Sequence, residues 1–189
     1  NLCDWNALRA IADKHNLVLI EDSCEALGSS VDSKHAGTFG DCGTFAFYPN
    51  KQITTGEGGM LVTDRDNIAD AARSMRNQGR DDSGRFLHHE RLGYNYRLSD
   101  INCALGISQL SRIEEFIEKR DQVSQWYAEG LAPLSDHIGP ALSQKDVCTS
   151  WFVYVAHLSG KYSSQQRDAL LEHLKSAGIG CNNYFPAIH

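Results

Sequence analysis

One lysine lies between two apolar segments, where its amine could act as a nucleophile. Lys51 follows residues 44–48, an aromatic run that predicts a buried strand, and it precedes the glycine-rich residues 56–59. A buried environment removes water from an ammonium group and favours the neutral amine, which is the nucleophile of Schiff-base chemistry. The alternative is an ordinary surface lysine on a loop, which describes most lysines.

A carboxylate follows an earlier apolar segment. Residues 17–20 predict a buried strand, and Asp22 comes just after its end. Ligands of open α/β sheets bind at the carboxyl ends of strands, so Asp22 and Lys51 face one crevice if their strands are neighbours. Pyridoxal phosphate needs this pairing, a lysine for its aldehyde and a carboxylate that keeps its pyridine nitrogen protonated. An ordinary strand-end carboxylate is the alternative for Asp22.

Helices and strands alternate around these residues. Asp4 is placed to cap a helix over residues 5–15, Asn16 to end it, and residues 66–77 have a second helical pattern. Continuous apolar segments are typical of strands in parallel sheets that helices cover on both faces. The apolar segments are residues 17–20, 44–48 and 60–63. We therefore predict an α/β fold with a mainly parallel sheet and flanking helices.

A polar loop and a long helix follow. Residues 76–98 are rich in glycine, histidine and arginine, a composition common in functional loops. Ser99 is placed to cap a helix in which apolar residues recur every 3.6 positions for about eight turns, as far as Tyr127.

A further β–α unit indicates a second domain. Residues 151–158 predict a strand, Ser163 and Gln166 form the capping box of a helix, and Gly178 is placed to end it. The predicted domains are residues 1–130, part of a large domain, and residues 131–189, the start of a small α+β domain.

Composition excludes some classes of protein. The chain has 18 basic and 24 acidic residues and a net charge of -6, which argues against nonspecific nucleic-acid binding. No apolar run is long enough to span a bilayer, so we expect no membrane association. Six cysteines without a C-x-x-C pair indicate free thiols in a reducing compartment, and we expect the cytoplasm.

Three other motifs receive weaker interpretations. Residues 56–59 lack the spacing of a P-loop. His88 and His89 are adjacent, so they point apart on a regular element, and we predict no metal site there. An arginine cluster is either a solvated face or a docking surface for a nucleoside diphosphate, which arginine contacts in a bidentate manner. Its members are Arg73, Arg76, Arg80, Arg85 and Arg91.

Several motifs, in order and over essentially the whole chain, resemble those of the DegT/StrS nucleotide-sugar aminotransferases, which are pyridoxal phosphate enzymes of the aspartate aminotransferase superfamily (fold type I). They are residues 20–28, 40–41, 50–59, 92–100 and 184–189. The resemblance implies a chain that holds part of the large cofactor-binding domain and the start of the small domain. It also implies that the amino-terminal part of the large domain and the carboxyl-terminal end lie outside these residues.

The resemblance assigns roles to individual positions. Lys51 matches the lysine that forms the Schiff base with the cofactor and later moves a proton. Asp22 matches the partner of the pyridinium nitrogen, and Glu25 stands where the family usually has Gln or His near the ring hydroxyl. Asn95 matches an asparagine that reaches the cofactor phosphate of a neighbouring subunit, which implies a homodimer with shared active sites.

Other positions concern the phosphate and the substrate. Ala46 stands where the family places a serine that bonds the cofactor phosphate. Loss of one charge-assisted hydrogen bond weakens binding by about 1.5–3 kcal/mol unless another group, such as Thr44, replaces it. Tyr184 and His189 match the substrate side of the pocket.

The implied reaction is the transfer of an amino group from glutamate to a keto group of a nucleoside-diphosphate sugar. Related dehydratases carry histidine in place of the lysine, so Lys51 favours transamination. The alternatives are a cyclitol or another ketone as substrate, or a truncated, catalytically silent relative that serves as a binding module.

Overall fold

The computed structural model describes residues 2–81, 85–140 and 146–183. The chain divides into two compact units, Asn1–Gln125 with Ser143–Val153, and Trp126–Leu142 with Tyr154–His189. The predicted domain boundary near residue 130 stays a prediction. Among the described helices, none combines the length and the apolar character that a bilayer crossing requires.

The first unit contains the sheet that positions Asp22. Its elements are helix α1 (Trp5–His15), strands β1 (Ile20–Asp22), β2 (Ser30–Val31), β3 (Lys34–His35), β4 (Cys42–Ala46) and β5 (Gly59–Val62), helices α2 (Asp66–Arg76) and α3 (Asp100–Leu110), and most of α4 (Ile113–Leu131). The strand order is β1-β4-β5. Strand β7 (Val147–Cys148) joins a second sheet in the order β3-β2-β7. The α/β class is confirmed.

The first strand begins later than predicted. Residues 17–19 are not extended into the sheet, because the backbone of Leu19 bonds to Asp41 instead. Leu19 N donates to Asp41 Oδ2 at 2.6 Å, and Asp41 N donates to Leu19 O at 2.7 Å. Strand β1 therefore pairs with β4 only from Ile20, and Leu17 and Val18 are exposed in this chain.

The third strand differs from the prediction in direction. β1 and β4 are parallel as expected, but β5 runs antiparallel to β4. The connection over residues 47–58 contains no crossover helix, and Phe47 N donates to Gly58 O at 2.8 Å, so the chain turns straight back.

Local capping signals of the first helices are confirmed. Asp4 caps α1 by accepting from Ala7 N, and Asn16 ends it in the left-handed conformation with a φ of 51°. Ser99 caps α3 by accepting from Asn102 N.

The prediction of one helix over eight turns is wrong. Two helices, α3 and α4, meet at residues 111–112. The hydroxyl of Ser111 donates to the Ser108 carbonyl at 2.9 Å, a side-chain bond that competes with helical continuation.

The polar loop after α2 is ordered by backbone contacts. Tyr94 N donates to Met75 O, and Gln78 N donates to Tyr94 O, at 2.7 and 2.8 Å. A Cβ on Gly93 would lie 2.2 Å from Gly79 N, so the loop needs glycine at this crossing.

The second unit is small. It contains a 3₁₀ turn (Ala132–Leu134), the antiparallel pair β6 (Ile138–Pro140) and β8 (Ala156–Leu158), and helix α5 (Ser164–Ser176). The capping box of Ser163 and Gln166 is confirmed, and Gly178 follows the helix with a φ of 79°.

The strand predicted over residues 151–158 is wrong over residues 151–155, since strand β8 comprises only Ala156–Leu158. Trp151 has a left-handed backbone with a φ of 48°, so no strand can include this residue.

Candidate active site

The carboxyl end of β1 places Asp22 beside β4. Asp22 is in register with Thr44 of the parallel neighbour. Its carboxylate interacts with the Cys24 thiol and accepts from the Cys24 backbone nitrogen at 3.2 Å, and these bonds hold the pKa of Asp22 below its usual value of 3.8. The charge of Lys51 lowers this pKa further. The carboxylate is therefore ionised at neutral pH, as a partner of a protonated ring nitrogen must be.

Lys51 lies on the turn after β4. Its backbone nitrogen donates to Tyr48 O at 3.0 Å, and its Nζ lies 3.1 Å from Glu25 Oε1. Only 14% of the Lys51 side chain is exposed, against 44% for Glu25. The structure thus brings the predicted Lys51, Asp22 and Glu25 to one end of the β1–β4 pair.

Thr44 is next to Asp22 as well. Its hydroxyl donates to Glu21 O at 3.2 Å, and the Cys24 thiol lies 3.8 Å from the Thr44 carbonyl and hydroxyl oxygens. Burial raises the pKa of Cys24, and its bond to Asp22 raises it further, so the thiol is protonated at neutral pH. The Thr44 hydroxyl already donates its proton to Glu21 O. A hydrogen bond from Thr44 to the cofactor phosphate therefore stays a prediction.

One of the remaining predicted site residues lies in the polar loop, and two lie outside the described residues. Asn95 is exposed, and its backbone pairs with Asn77 at the base of the polar loop. Tyr184 and His189 lie outside the described residues.

A buried glutamate organises the loop beside the site, and sequence patterns did not reveal it. Glu21 is 0% exposed, and its two carboxylate oxygens accept from Gly37 N at 2.6 Å and Gly40 N at 2.5 Å. Since the Glu21 side chain accepts from both amides, the loop before β4 is held against β1. The available signal was a glutamate directly after the apolar residues 17–20, next to Asp22.

A second buried network anchors the residue after Lys51. Gln52 Nε2 donates to Glu25 O at 2.7 Å and to Ser150 Oγ at 2.9 Å. Ser29 Oγ in turn donates to Ser150 Oγ at 3.0 Å. The network joins the Lys51 turn, the loop after β1 and the segment before Trp151, and no local pattern predicts it.

The polar loop brings a histidine near two carboxylates. Ligand atoms of Asp81, His88 and Glu90 lie within 4.8 Å of one another, while His89 Nδ1 contacts Gln78 O. His88 and His89 thus point to different partners, as predicted. The Asp81 carboxylate already bonds to Arg85 at 2.9 Å and to His88 at 2.8 Å, which leaves this trio without the features of a built metal site.

Two arginines of the predicted cluster make individual ion pairs on the surface. Arg73 pairs with Asp70 at 3.1 Å, and Arg91 pairs with Glu90 at 3.5 Å. Both pairs are solvent-exposed, as expected of a solvated face. Docking of a nucleoside diphosphate there stays a prediction.

The α/β fold, with a strand-end aspartate and a turn lysine at one edge of its sheet, is that of pyridoxal phosphate-dependent transferases of fold type I. The chain belongs to the DegT/DnrJ/EryC1/StrS aminotransferase family, whose model matches residues 1–189. The resemblance drawn from the motifs is therefore confirmed.

Individual relatives agree with this assignment. GDP-perosamine synthase of Caulobacter vibrioides is 37% identical over 191 residues, which cover 100% of this chain and 50% of the relative. Helicobacter pylori PseC, an aminotransferase involved in the biosynthesis of pseudoaminic acid, has a TM-score of 0.91 at 26% identity. That match covers 99% of this chain and 50% of PseC.

A third relative carries the cofactor. The E. coli GDP-4-keto-6-deoxy-D-mannose-3-dehydratase with bound hydrated PLP has a TM-score of 0.84 at 28% identity, over 96% of this chain and 50% of that one. The chain spans about half the length of the curated relatives it matches.

Proposed function

We propose that the protein is a pyridoxal phosphate-dependent aminotransferase that moves an amino group from glutamate to a keto group of a nucleoside-diphosphate sugar. The observation that carries the proposal is the convergence of Lys51, Asp22 and Glu25 at the carboxyl end of β1. Family membership and the similarity to GDP-perosamine synthase support the sugar nucleotide as substrate.

The residues present fit the cofactor. The lowered pKa of Asp22 suits a carboxylate that accepts a hydrogen bond from a protonated ring nitrogen. The largely shielded Lys51 amine suits a group that binds the aldehyde. Once bound, pyridoxal phosphate supplies an electron sink for the bonds at the amine-bearing carbon. In this proposal Glu25 contacts the ring hydroxyl, and Thr44 replaces the serine absent at Ala46.

Lys51 performs two tasks in this proposal. Its amine would hold the aldehyde of the bound cofactor, and the same amine would move a proton at the substrate carbon. This second task favours transamination over the dehydration named for the E. coli relative, because histidine replaces the lysine in the dehydratases that the resemblance includes.

The site requires further groups in this proposal. Asn95 contacts the cofactor phosphate of a partner subunit in a homodimer with shared sites. Tyr184 and His189 line the substrate side. The free cysteines are consistent with a reducing compartment, and we propose the cytoplasm.

The test uses the full-length protein. Incubation with pyridoxal phosphate followed by borohydride reduction should attach the cofactor to Lys51, as peptide mass spectrometry detects. Lys51→Ala should abolish this adduct, whereas Lys14→Ala, at an exposed lysine of α1, should leave it unchanged. A wild-type adduct on another lysine in place of Lys51, or equal total cofactor incorporation in wild type and Lys51→Ala, would overturn the assignment of the amine.

A second measurement addresses the substrate. With glutamate as donor, a nucleoside-diphosphate keto sugar should yield an amino sugar and 2-oxoglutarate. Turnover with a cyclitol ketone alone would replace the sugar in the proposal. A cofactor adduct without turnover on any ketone would favour a binding module.

A further inference from the structure

We propose that Phe152 is a positioning residue of the site, which covers the Lys51 amine and holds it beside Glu25. The Nζ atom of Lys51 lies 4.4 Å from the centroid of the Phe152 ring. The face of an aromatic ring attracts a cation at this distance, the more so where water is excluded. This inference rests on the proposed function, in which Lys51 is the reacting amine.

Phe152 reaches Lys51 from a remote part of the sequence. The chain passes through α4 and returns to the first unit at β7, which pairs with β2. Ser150 follows β7, is 0% exposed, and donates its backbone nitrogen to Ser29 Oγ at 2.9 Å. Ser150 also accepts from Gln52, the neighbour of Lys51, at 2.9 Å. The segment that carries Phe152 is therefore tied to the turn that carries Lys51.

Helix α4 holds the same segment from its other end. Arg120 Nη1 donates to the carbonyls of Trp151 and Phe152 at 2.7 and 3.2 Å. The indole nitrogen of Trp151 donates to Asp121 Oδ1 at 3.1 Å. Two successive residues of the helix thus bind two successive residues of the segment, which leaves the Phe152 backbone little freedom.

The backbone at Trp151 is strained. A left-handed φ of 48° is rare for a large side chain and persists only when the surroundings hold it. Here the backbone is held on one side by the hydrogen bonds among Ser29, Ser150 and Gln52. On the other side it is held by the bonds with Arg120 and Asp121 of helix α4. Such strain concentrates at functional sites, and here it directs the next side chain, Phe152, over the amine.

The geometry has a consequence for Lys51. Glu25 by itself is a weak anchor for the Lys51 amine. Its side chain is 44% exposed, and exposed ion pairs hold a flexible lysine weakly. The ring adds a second, apolar contact that restricts the side chain and shields it from solvent. A substitution that removes the Phe152 ring should therefore leave the Lys51 amine more mobile and more exposed to solvent.

The test measures the reactivity of Lys51 in the cofactor-free, full-length protein. Formaldehyde and cyanoborohydride methylate accessible lysines, and peptide mass spectrometry gives the Lys51 rate relative to the exposed Lys14. Phe152→Leu should raise this ratio about two- to fivefold, the factor that an exposed cation–π contact supports. Phe152→Tyr should restore the wild-type ratio, because it retains the ring.

Two further variants separate positioning from general packing. Phe116→Leu is the matched control, since that ring also contacts a cation, Arg112, at 4.9 Å, and it should leave the Lys51 ratio unchanged. Arg120→Met should raise the ratio, because it releases the Phe152 carbonyl. An equal ratio in wild type and Phe152→Leu, with both proteins folded by circular dichroism, would overturn the proposal.

Failure of the proposed function would look different. In that case pyridoxal phosphate and borohydride would leave wild-type Lys51 unmodified, whatever the effect of Phe152 on methylation. A cofactor adduct at Lys51 with an unchanged methylation ratio in Phe152→Leu would retain the proposed function and remove only the role of Phe152.

Discussion

Asp22 and Cys24 shift each other's pKa in opposite directions at the end of β1. The backbone nitrogen of Cys24 donates to Asp22 Oδ1 at 3.2 Å, and the thiol interacts with the same carboxylate. The pKa of Asp22 falls chiefly because of these bonds, while that of Cys24 rises through burial and through its hydrogen bond to the Asp22 side chain. The pair therefore keeps a carboxylate charged and a thiol neutral within one turn of the chain.

Asp22→Asn should make Cys24 more reactive. Without the carboxylate the thiol loses a charged hydrogen-bond acceptor, and the bond to Asp22 is the second largest cause of its raised pKa after burial. The thiolate fraction of Cys24 at pH 8 should therefore increase. We expect severalfold faster alkylation by iodoacetamide in the cofactor-free, full-length protein, measured by mass spectrometry relative to the exposed Cys103. Asp32→Asn, a change at an exposed turn, is the control. Equal Cys24 rates in wild type and Asp22→Asn would show that Asp22 does not govern the thiol.

The buried Asp41 should make stability depend on pH. Its bond from Leu19 N and the charges of Arg65 and Arg9 hold its pKa below 3.8. Since the folded-state pKa is depressed, Asp41 contributes stability above the unfolded value, and this contribution disappears as pH falls through the folded value. The urea midpoint of Asp41→Asn should thus lie below that of wild type at pH 7, and the gap should narrow below about pH 4.

A control for this pH dependence is the exposed Asp136. Asp136→Asn should leave the urea midpoint close to that of wild type across the same range. A gap between wild type and Asp41→Asn that stays constant down to pH 3 would contradict the linkage to the Asp41 charge.

Gly28 is required where the loop after β1 meets α4. Its φ is +85°, and an added Cβ would lie 2.3 Å from Ile117 Cδ1. Gly28→Ala should cost about 1–2 kcal/mol from the left-handed backbone, with a further cost for the contact. Gly130→Ala is a control of opposite sign, because this helical glycine has no atom within 4 Å of an added Cβ and alanine should stabilise it by about 0.5–1 kcal/mol. Thermal unfolding measures both, and a neutral Gly28→Ala would argue against the close contact.

The stability of the fold should depend on both carboxylate oxygens of Glu21. Glu21→Gln places an amide NH₂ against one of the backbone donors, Gly37 N or Gly40 N, and should cost about 1.5–3 kcal/mol. Urea unfolding should show little effect for Glu118→Gln, an exposed change on α4. Glu21→Gln with wild-type stability would mean that the loop does not depend on the carboxylate.

Local features were predictable from sequence because they depend on neighbours a few residues apart. The caps of Asp4, Ser99 and Ser163 and the stop at Asn16 each involve atoms within one helical turn. The α/β class and the facing positions of Asp22 and Lys51 followed from strand ends, which share one edge of a parallel pair.

Strand limits and helix continuity were less predictable. Apolar runs mark where a strand can form, but Asp41 decided where β1 begins, by taking the backbone bonds of Leu19. Similarly, a continuous apolar period did not reveal the break between α3 and α4, because the Ser111 hydroxyl bond leaves the period unchanged.

By itself the sequence determined the family to which the chain belongs, and it predicted the chemical groups of the candidate site, Lys51 and Asp22 foremost. The tertiary structure decided what surrounds them. Glu25 meets the Lys51 amine across 26 positions, Gln52 meets Ser150 across 98, and Phe152 covers Lys51 after the chain returns from α4. Contacts at such separations depend on how helices and strands pack, and no local periodicity encodes that packing.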